Sequence, residues 1–218
     1  MGSYLVIGMG RFGSALATEL YRLKQEVLAV DALEENVAGI ANEVTDVLIG
    51  DAKDEAVLKT LGVHNFDCVV VAMAGDIEDS ILATISLKEL GAKKIVCKAH
   101  NERHAKILSM IGADKIIRPE NDMGIRVATS LARQNFVDYL EISSDHGVLE
   151  MISPENWAGK SIAEGNLRRK YGVTVIAVRR ADTQKIKFSP SADFVICKGD
   201  VLTLIGSREE LDAVGALK

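Results

Sequence analysis

The ten residues 4–13, YLVIGMGRFG, decide the fold of this chain. Four apolar residues predict a buried strand, and Gly8, Gly10 and Gly13 follow it at G-x-G-x-x-G spacing. An amphipathic helix is predicted next by apolar residues at helical spacing, namely Phe12, Leu16, Leu20 and Leu23. A glycine motif between a strand and a helix is typical of a dinucleotide-binding turn.

Each glycine of this turn has a distinct expected role. Gly8 permits a tight turn, Gly10 lets a phosphate approach the backbone, and Gly13 lets the helix pack closely on the sheet. The N–H groups at the start of the helix bind phosphate oxygens, and the helix dipole favours their negative charge. The turn therefore predicts a nucleotide site.

Two acidic residues follow the next two predicted strands. Asp31 lies eighteen residues after Gly13, where a carboxylate can accept both hydrogen bonds of a ribose diol and repels a 2′-phosphate. Asp51, in the sequence Gly50-Asp51-Ala52, is expected near the adenine edge of the ligand. A structural role for Asp51, as a turn or helix N-cap residue, is the alternative.

Arg11 lies inside the turn, at the start of the predicted helix. Its guanidinium presents a fork of donors that suits terminal phosphate oxygens. A nicotinamide cofactor carries only an internal pyrophosphate, so Arg11 favours ATP or ADP. Two alternatives stay open: Arg11 is a solvated surface residue, or the same turn and Asp31 bind NAD or NADH.

Short apolar runs alternate with helical stretches as far as residue 117. Predicted strands occupy residues 4–7, 27–30, 46–49, 68–73, 95–98 and 115–117, and predicted helices residues 11–23, 34–43, 54–61, 77–90 and 102–111. Gly62, Gly91 and Gly112 each follow a predicted helix, where a left-handed residue ends it. This alternation predicts an α/β fold with a Rossmann-like parallel sheet.

The pattern changes after residue 135. A helix over residues 123–135 is followed by predicted strands at residues 137–142, 147–152, 173–178 and 201–205 and by helices at residues 161–171 and 208–214. We therefore expect two domains: a nucleotide-binding domain over residues 1–135, and a smaller α+β C-terminal lobe over residues 136–218.

Composition excludes several classes of protein. The 218 residues are 48% apolar and 26% charged with a net charge of −5, which excludes a disordered chain and argues against nucleic-acid binding. No run of eighteen apolar residues spans a bilayer, and the first apolar run ends at Gly8, too early for a signal peptide. Cys68, Cys97 and Cys197 lack C-x-x-C spacing, so we expect reduced core cysteines in a cytosolic protein.

Catalytic groups do not accompany the turn. The sequence contains no nucleophile elbow, H-E-x-x-H motif or Ser-Tyr-Lys set, and its second lobe offers no convergent acids and bases. His100 and His104 have the i, i+4 spacing of a metal or catalytic pair, but we expect solvated polar residues there. A Rossmann half without catalytic groups indicates a sensor rather than an enzyme.

Several motifs together resemble the regulator-of-potassium-conductance (RCK) family, and within it the regulatory subunits of bacterial Ktr- and Trk-type potassium transporters. They are the glycine turn with Arg11, Val30-Asp31, Gly50-Asp51-Ala52, Val96-Cys97-Lys98-Ala99, Ile111-Gly112-Ala113-Asp114, Arg118-Pro119-Glu120-Asn121-Asp122-Met123-Gly124, Leu167-Arg168-Arg169-Lys170-Tyr171-Gly172 and Ser189-Pro190. The resemblance covers nearly the whole chain.

The resemblance implies roles for individual residues. Asp31 would hold the ribose, Asp51 would lie by the adenine, and Arg11 would reach the γ-phosphate together with a partner subunit. Lys98 matches a basic position close to the phosphates, and Glu120 matches an acid that in some members helps to coordinate a divalent cation. The implied nucleotide contacts are Gly8, Gly10, Arg11, Phe12, Gly13, Asp31, Asp51, Ala52, Ala72, Lys98 and Glu120, with Glu120 also the metal ligand.

The resemblance also implies an assembly. It predicts a cytoplasmic homodimer that builds an octameric ring beneath a membrane potassium transporter subunit, with ATP favouring an activating ring and ADP an inactive one. Some members bind NAD or NADH instead, and some bind cyclic di-AMP in the C-lobe, for which Arg169, Ile176 and Pro190 are the candidates. Two other readings of the residues are an NAD-linked oxidoreductase or NAD sensor, and a transcription regulator, which lacks a helix-turn-helix region here.

Overall fold

Six strands of the first unit form one parallel sheet in the computed structural model, which describes residues 1–73, 77–132 and 135–217. They are β1 (Ser3–Ile7), β2 (Glu26–Asp31), β3 (Asp46–Ile49), β4 (Cys68–Val71), β5 (Ile95–Lys98) and β6 (Lys115–Ile117). The strand order is β3-β2-β1-β4-β5-β6, and every neighbouring pair is parallel. The predicted Rossmann-like sheet is confirmed.

Five helices connect these strands: α1 (Arg11–Arg22), α2 (Glu34–Ala38), α3 (Glu55–Leu61), α4 (Ile77–Glu89) and α5 (Glu102–Met110). The prediction of a helix over residues 34–43 is wrong beyond Ala38. Gly39, a poor helix former, follows there, and the chain continues in turns. Ile40 and Val44 are buried, so their spacing reflects burial rather than a helix.

The sheet carries an apolar layer on each face. Leu5 and Ile7 of β1 belong to one core cluster, which α4 and α5 complete with Leu87 and Leu108. Val6 belongs to the cluster on the other face. Both faces of the central strands are therefore buried, which explains their uninterrupted apolar sequences. The left-handed helix ends predicted at Gly62, Gly91 and Gly112 are confirmed, with φ of +61°, +77° and +101°.

Helix α6 (Pro119–Ala132) follows β6 and begins four residues before the predicted residue 123. Proline suits the first helical position, because its missing N–H needs no acceptor there. Residues 133 and 134 of the predicted helix lie outside the described residues. The chain divides into two compact units, Met1–Glu120 and Asn121–Lys218. The domain boundary expected after residue 135 stays a prediction.

The second unit is built around an antiparallel sheet, as the α+β expectation requires. Its strands are β7 (Phe136–Glu141), β8 (His146–Ile152), β9 (Thr174–Arg179), β10 (Ile186–Phe188) and β11 (Val201–Ser207), in the order β10-β9-β11-β8-β7. Its helices are α7 (Ile162–Gly165), α8 (Leu167–Tyr171) and α9 (Arg208–Gly215). Strand β10 was not predicted, because its three residues are all exposed and are too few to establish an alternating pattern.

The single helix predicted over residues 161–171 is wrong, because Asn166 divides it. Asn166 has a left-handed backbone with φ of +48°, which asparagine adopts more readily than most residues. Ser161 caps α7 in a capping box with Glu164, and Gly172 ends α8 with φ of +77°. The break allows Leu167, at the start of α8, to be buried in the core.

The cysteine prediction is correct for two residues and wrong for the third. Cys68 and Cys97 are buried and free, and burial raises the pKa of the Cys97 thiol to about 11. Cys197 is exposed in the segment between β10 and β11, where Arg180 Nη1 lies 3.0 Å from its sulfur. The neighbouring Ile196 is buried, and its side chain gave that stretch its apolar appearance.

Among the residues that the structure describes, no helix is both long enough and apolar enough to cross a membrane.

Candidate functional site

The candidate site lies at the carboxyl end of β1, where the strand order reverses direction. From β1 the chain proceeds to β2 on one side of the sheet and later to β4 on the other. Such a switch point leaves a crevice in which α/β proteins bind ligands. Gly8 N donates to Val30 O at 2.8 Å and Ala72 N to Ile7 O at 2.7 Å, which brings the ends of the three strands together.

Two glycines of the turn are required by close backbone contacts. Gly8 has φ of +93°, and a Cβ there would lie 2.8 Å from Met73 N. A Cβ on Gly13 would lie 1.9 Å from Gly8 O, so the helix passes directly against the turn. These contacts agree with the expected roles of Gly8 and Gly13. Gly10 has ordinary φ of −70°, and its role in admitting a phosphate stays a prediction.

The first turn of α1 offers donors without local acceptors. Gly10 occupies the N-cap position and has no side chain to cap the helix, and the first turn contains no acidic residue. The first N–H groups of a helix have no partner within it, so here they face the crevice as an anion site. The Phe12 side chain packs into the core, which leaves its backbone N–H as the group available to a ligand.

Arg11 is the first residue of α1 and is exposed. Its side chain forms no hydrogen bond or ion pair with any other residue within the described parts of the chain. A guanidinium without a protein partner, beside free helix N–H groups, is available to an anionic ligand.

Asp31 has a structural role that the sequence analysis missed. Its Oδ2 accepts a hydrogen bond from Met9 N at 2.6 Å, and its Oδ1 accepts bonds from Leu33 N at 2.9 Å and Asn36 Nδ2 at 3.1 Å. A carboxylate offers about four acceptor positions, so three are already used. Asp31 therefore holds the glycine turn in place, and a ribose diol would have to replace Asn36 to gain two bonds.

Asp51 lies in a turn next to Asp31, because Gly50 N donates to Asp31 O at 2.9 Å. Its Oδ1 accepts a hydrogen bond from Lys53 N at 3.0 Å, and its Oδ2 lies 3.6 Å from Lys53 Nζ. Asp51 is thus a turn residue, while Asp54 is the N-cap of α3. Ala52 is 3% exposed and packs in the core, so its side chain is not offered to a ligand.

Lys98 and Glu120 form an ion pair with 2.5 Å between Nζ and Oε1. Lys98 is 7% exposed at the end of β5, whereas the Glu120 side chain on the first turn of α6 is 69% exposed. The hydrogen bond from Lys98 holds the pKa of Glu120 below its usual range. The ammonium expected at the phosphates is therefore covered by the carboxylate expected to bind a cation.

Glu120, the residue expected to bind a metal, does not belong to a ligand cluster among the described residues. The described residues contain no group of three or more His, Cys, Asp or Glu side chains placed to hold an ion. Glu120 alone supplies one carboxylate, so a divalent cation would need further ligands from a nucleotide or another subunit. The cation role of Glu120 stays a prediction.

His104 is not the solvated residue that we expected. It is 1% exposed, its Nδ1 accepts a hydrogen bond from His100 N at 3.3 Å, and its Nε2 has no partner among the residues that the structure describes. The two rings stack with centroids 5.8 Å apart. Burial, and to a smaller extent the charge on His100, lower the pKa of His104. The pair is a local packing unit in the first turn of α5.

The three C-lobe candidates lie in different places. Arg169 is exposed on α8, and Pro190 lines a cleft of about 340 Å³ beside Arg168. Ile176 lines a separate cleft of about 300 Å³ with Phe188. Because Pro190 and Ile176 line different clefts, the cyclic di-AMP site stays a prediction.

Two family models match the chain. The TrkA-N domain model matches residues 4–119, and the TrkA-C domain model matches residues 149–218. The first covers the parallel sheet and the second most of the antiparallel one.

Two proteins with related sequences are named as Ktr system potassium uptake proteins. The chain is 42% identical over 208 residues to Ktr system potassium uptake protein C of Bacillus subtilis, covering 95% of this chain and 93% of that protein. It is 33% identical over 208 residues to Ktr system potassium uptake protein A of Vibrio alginolyticus, covering 95% and 94%.

A solved structure has the same fold over nearly all of the chain. The crystal structure of the GsuK RCK domain superposes with a TM-score of 0.71 at 19% identity, covering 99% of this chain and 47% of that one.

Proposed function

The chain belongs to the family built from TrkA-N and TrkA-C domains, and on that premise we propose that it is a nucleotide-sensing regulatory subunit of a Ktr-type potassium uptake system. Its membrane partner is a potassium transporter subunit, and it acts as a homodimer within an octameric ring on the cytoplasmic side. The names of its relatives support this role, because the similarity extends over more than nine-tenths of those proteins.

One observation carries the nucleotide proposal: the exposed Arg11, which pairs with none of the described residues, stands at the uncapped N-terminus of α1, in the turn that Asp31 holds through Met9 N. This corner supplies a cation and backbone donors for phosphate, and a carboxylate for the sugar. A terminal phosphate offers Arg11 more negative charge and more free oxygens than an internal pyrophosphate does. We therefore propose ATP and ADP as the ligands, with a divalent cation at Glu120.

An alternative ligand is NAD or NADH, because the glycine turn and Asp31 serve a dinucleotide equally well. In either case we propose sensing rather than catalysis. The described residues around the turn supply hydrogen-bond donors and a carboxylate already engaged with Met9 N, and these groups bind a ligand without offering a base or nucleophile.

The regulation follows from differential binding. A ligand shifts the population of two ring shapes only by the difference in its affinity for them. A coupling of about 1–3 kcal/mol per site is typical, and inverting a 1:99 population needs about 5.5 kcal/mol in total. Linked sites in a ring reach that sum together, so modest discrimination of the γ-phosphate at each site is sufficient.

Titration calorimetry with ATP, ADP and NAD tests the proposal on the unaltered protein and on Arg11→Ala. We expect the variant to lose about tenfold in ATP affinity and much less in ADP affinity, because a hydrogen bond to a charged group is worth about 1.5–3 kcal/mol. Arg22→Ala is the matched control, since Arg22 lies on the same helix and is paired with Glu19.

Equal weakening of ATP and ADP by Arg11→Ala would rule out a γ-phosphate role. Tighter binding of NAD than of either adenine nucleotide would favour the alternative. Mass spectrometry of the copurified nucleotide, together with the native mass, identifies the ligand and the assembly in one measurement.

A further inference from the structure

Lys53 bridges two carboxylates at the edge of the candidate site. Its Nζ lies 3.6 Å from Asp51 Oδ2 and 3.5 Å from Asp79 Oδ2. Asp51 belongs to the turn after β3, and Asp79 to the first turn of α4 after β4. The charges of Asp51 and then Asp79 raise the pKa of Lys53, so it remains an ammonium throughout the neutral range.

The bridge joins segments on opposite sides of the site in strand order. In the order β3-β2-β1-β4, the ends of β2 and β1 carry Asp31 and the glycine turn, and they lie between the ends of β3 and β4. Gly50 N donates to Asp31 O at 2.9 Å, so a ligand that reaches past Asp31 next meets the turn that carries Asp51, where Lys53 also binds.

The Asp51 carboxylate is fixed in direction. Its Oδ1 is held by Lys53 N at 3.0 Å, so Oδ2 is the atom presented to a further donor. Two carboxylates at this edge repel phosphate, whereas Arg11 and the helix N-terminus attract it. The phosphates of a nucleotide therefore bind at the Arg11 end and its base lies at the Asp51 end. An exocyclic amine on the base would meet acceptors there.

We propose that Lys53 is a specificity-determining residue whose ammonium occupies the acceptors on Asp51 and Asp79 until the amino group of a 6-aminopurine replaces it. This inference rests on the proposed nucleotide function and names the part of the site that reads the base. A 6-aminopurine donates N–H to carboxylate oxygens, whereas a 6-oxopurine presents a carbonyl oxygen that they repel. Lys53 lowers the affinity for every ligand that must displace it.

Calorimetry with ATP and ITP, which differ at position 6 of the base, tests the inference on the unaltered protein and on Lys53→Met. The unaltered protein is expected to prefer ATP. Lys53→Met should raise the affinity for ATP by about two- to fivefold, which corresponds to the strength of an exposed ion pair. The affinity for ITP should stay the same or fall. The ratio of ATP to ITP affinity therefore rises.

Lys59→Met is the matched control. Lys59 is also exposed and pairs with Glu55 within α3, so its loss removes the same charge without touching Asp51 or Asp79. In the Lys59→Met variant, the ratio of ATP affinity to ITP affinity should equal that of the unaltered protein. Asp51→Asn provides a second variant, because an amide both accepts and donates and should bring the two affinities together.

Two results would overturn the inference while leaving the proposed function intact. They are an unaltered protein that binds ATP and ITP equally, and a Lys53→Met variant with an unchanged ratio of the two affinities. If that variant weakens both nucleotides equally, Lys53 is a general attractor of phosphate. An unaltered protein that binds neither ATP, ADP nor NAD would instead refute the proposed function and this inference with it.

Discussion

Single residues of the candidate site are held by partners that lie far away in sequence. Asp31 is bound by Met9 N, and Lys98 by Glu120, in each case across 22 positions. Both side chains were expected to face a ligand, and each already has a protein partner. A ligand at this site therefore exchanges existing hydrogen bonds for new ones, and its net affinity is the difference between them.

The buried His104 is expected to make the stability of the protein depend on pH. Its pKa is lowered by burial, so below about pH 6.5, the ordinary value for histidine, the unfolded chain binds a proton that the folded chain resists. Stability is therefore complete above that pH and falls as the pH decreases. We expect urea unfolding midpoints to drop between pH 7.5 and 5.5 in the unaltered protein, and to drop less in His104→Gln.

His64→Gln is the control for this experiment, because His64 is exposed in a short 3₁₀ helix. It should show the same pH dependence as the unaltered protein. An acid-induced drop that persists in full in His104→Gln would assign the effect to other groups.

The turn between β1 and α1 acts as one element, since its parts fit only together. A Cβ on Gly13, in the first turn of α1, would collide with the carbonyl oxygen of Gly8. A Cβ on Gly8 would in turn collide with the backbone of Met73. The end of β1, the start of α1 and the end of β4 thus fix one another. The break at Asn166 works in the same manner, since one left-handed residue redirects a whole helix.

Gly13→Ala tests how tightly the end of β1 and the start of α1 fix one another. The new methyl group would lie 1.9 Å from Gly8 O, and a backbone atom cannot rotate away. We expect the free energy of unfolding to fall by about 3 kcal/mol, at the upper end for an overpacked site. Chemical denaturation measures the change.

The matched variant is Gly39→Ala in the same unit. Gly39 is exposed with φ of −62°, and a Cβ there would lie 3.7 Å from Asn36 O and from Glu35 O, which is ordinary van der Waals contact. Its free energy of unfolding should stay within about 0.5 kcal/mol of the unaltered value. Similar losses in both variants would mean that the close contact at Gly13 is relieved by movement of the turn.

For the whole molecule, the exposed apolar side chains of α6 bear on assembly. Met123, Val127 and Leu131 recur one turn apart, and they are 53%, 48% and 82% exposed. A row of exposed apolar side chains on one helix is typical of a surface that binds another protein. We therefore expect a second copy to pack on this row in the proposed homodimer.

Leu131→Glu is expected to lower the native mass of the assembly, because a charge buried at an apolar contact without a partner is costly. Native mass spectrometry and light scattering measure the change. Leu23→Glu, at the end of α1 where Leu23 is 55% exposed, serves as the control and should leave the mass unaltered. An unchanged mass for Leu131→Glu would place the subunit contact elsewhere.

The sequence by itself determined the parallel sheet, the glycine turn and the change to an antiparallel lobe. These features depend on short-range patterns: strands apolar on both faces, glycines at positive φ, and residues that repeat at helical spacing. Each can be recognised within about a dozen consecutive residues, since local backbone preference and burial act on neighbouring positions. The full-length resemblance added the expected positions of Lys98 near the phosphates and of Glu120 at a cation, which no local pattern indicates.

Only the tertiary structure decided which charged and polar groups meet. The Lys98–Glu120 pair, the bond from Met9 N to Asp31 and the Lys53–Asp79 contact each join segments that are far apart in sequence. The burial of His104 likewise depends on the packing of the fold. Hydrogen bonds and ion pairs act over a few ångströms, and the distance between such segments is set by the whole fold. Their partners could therefore not be inferred from residue type and spacing.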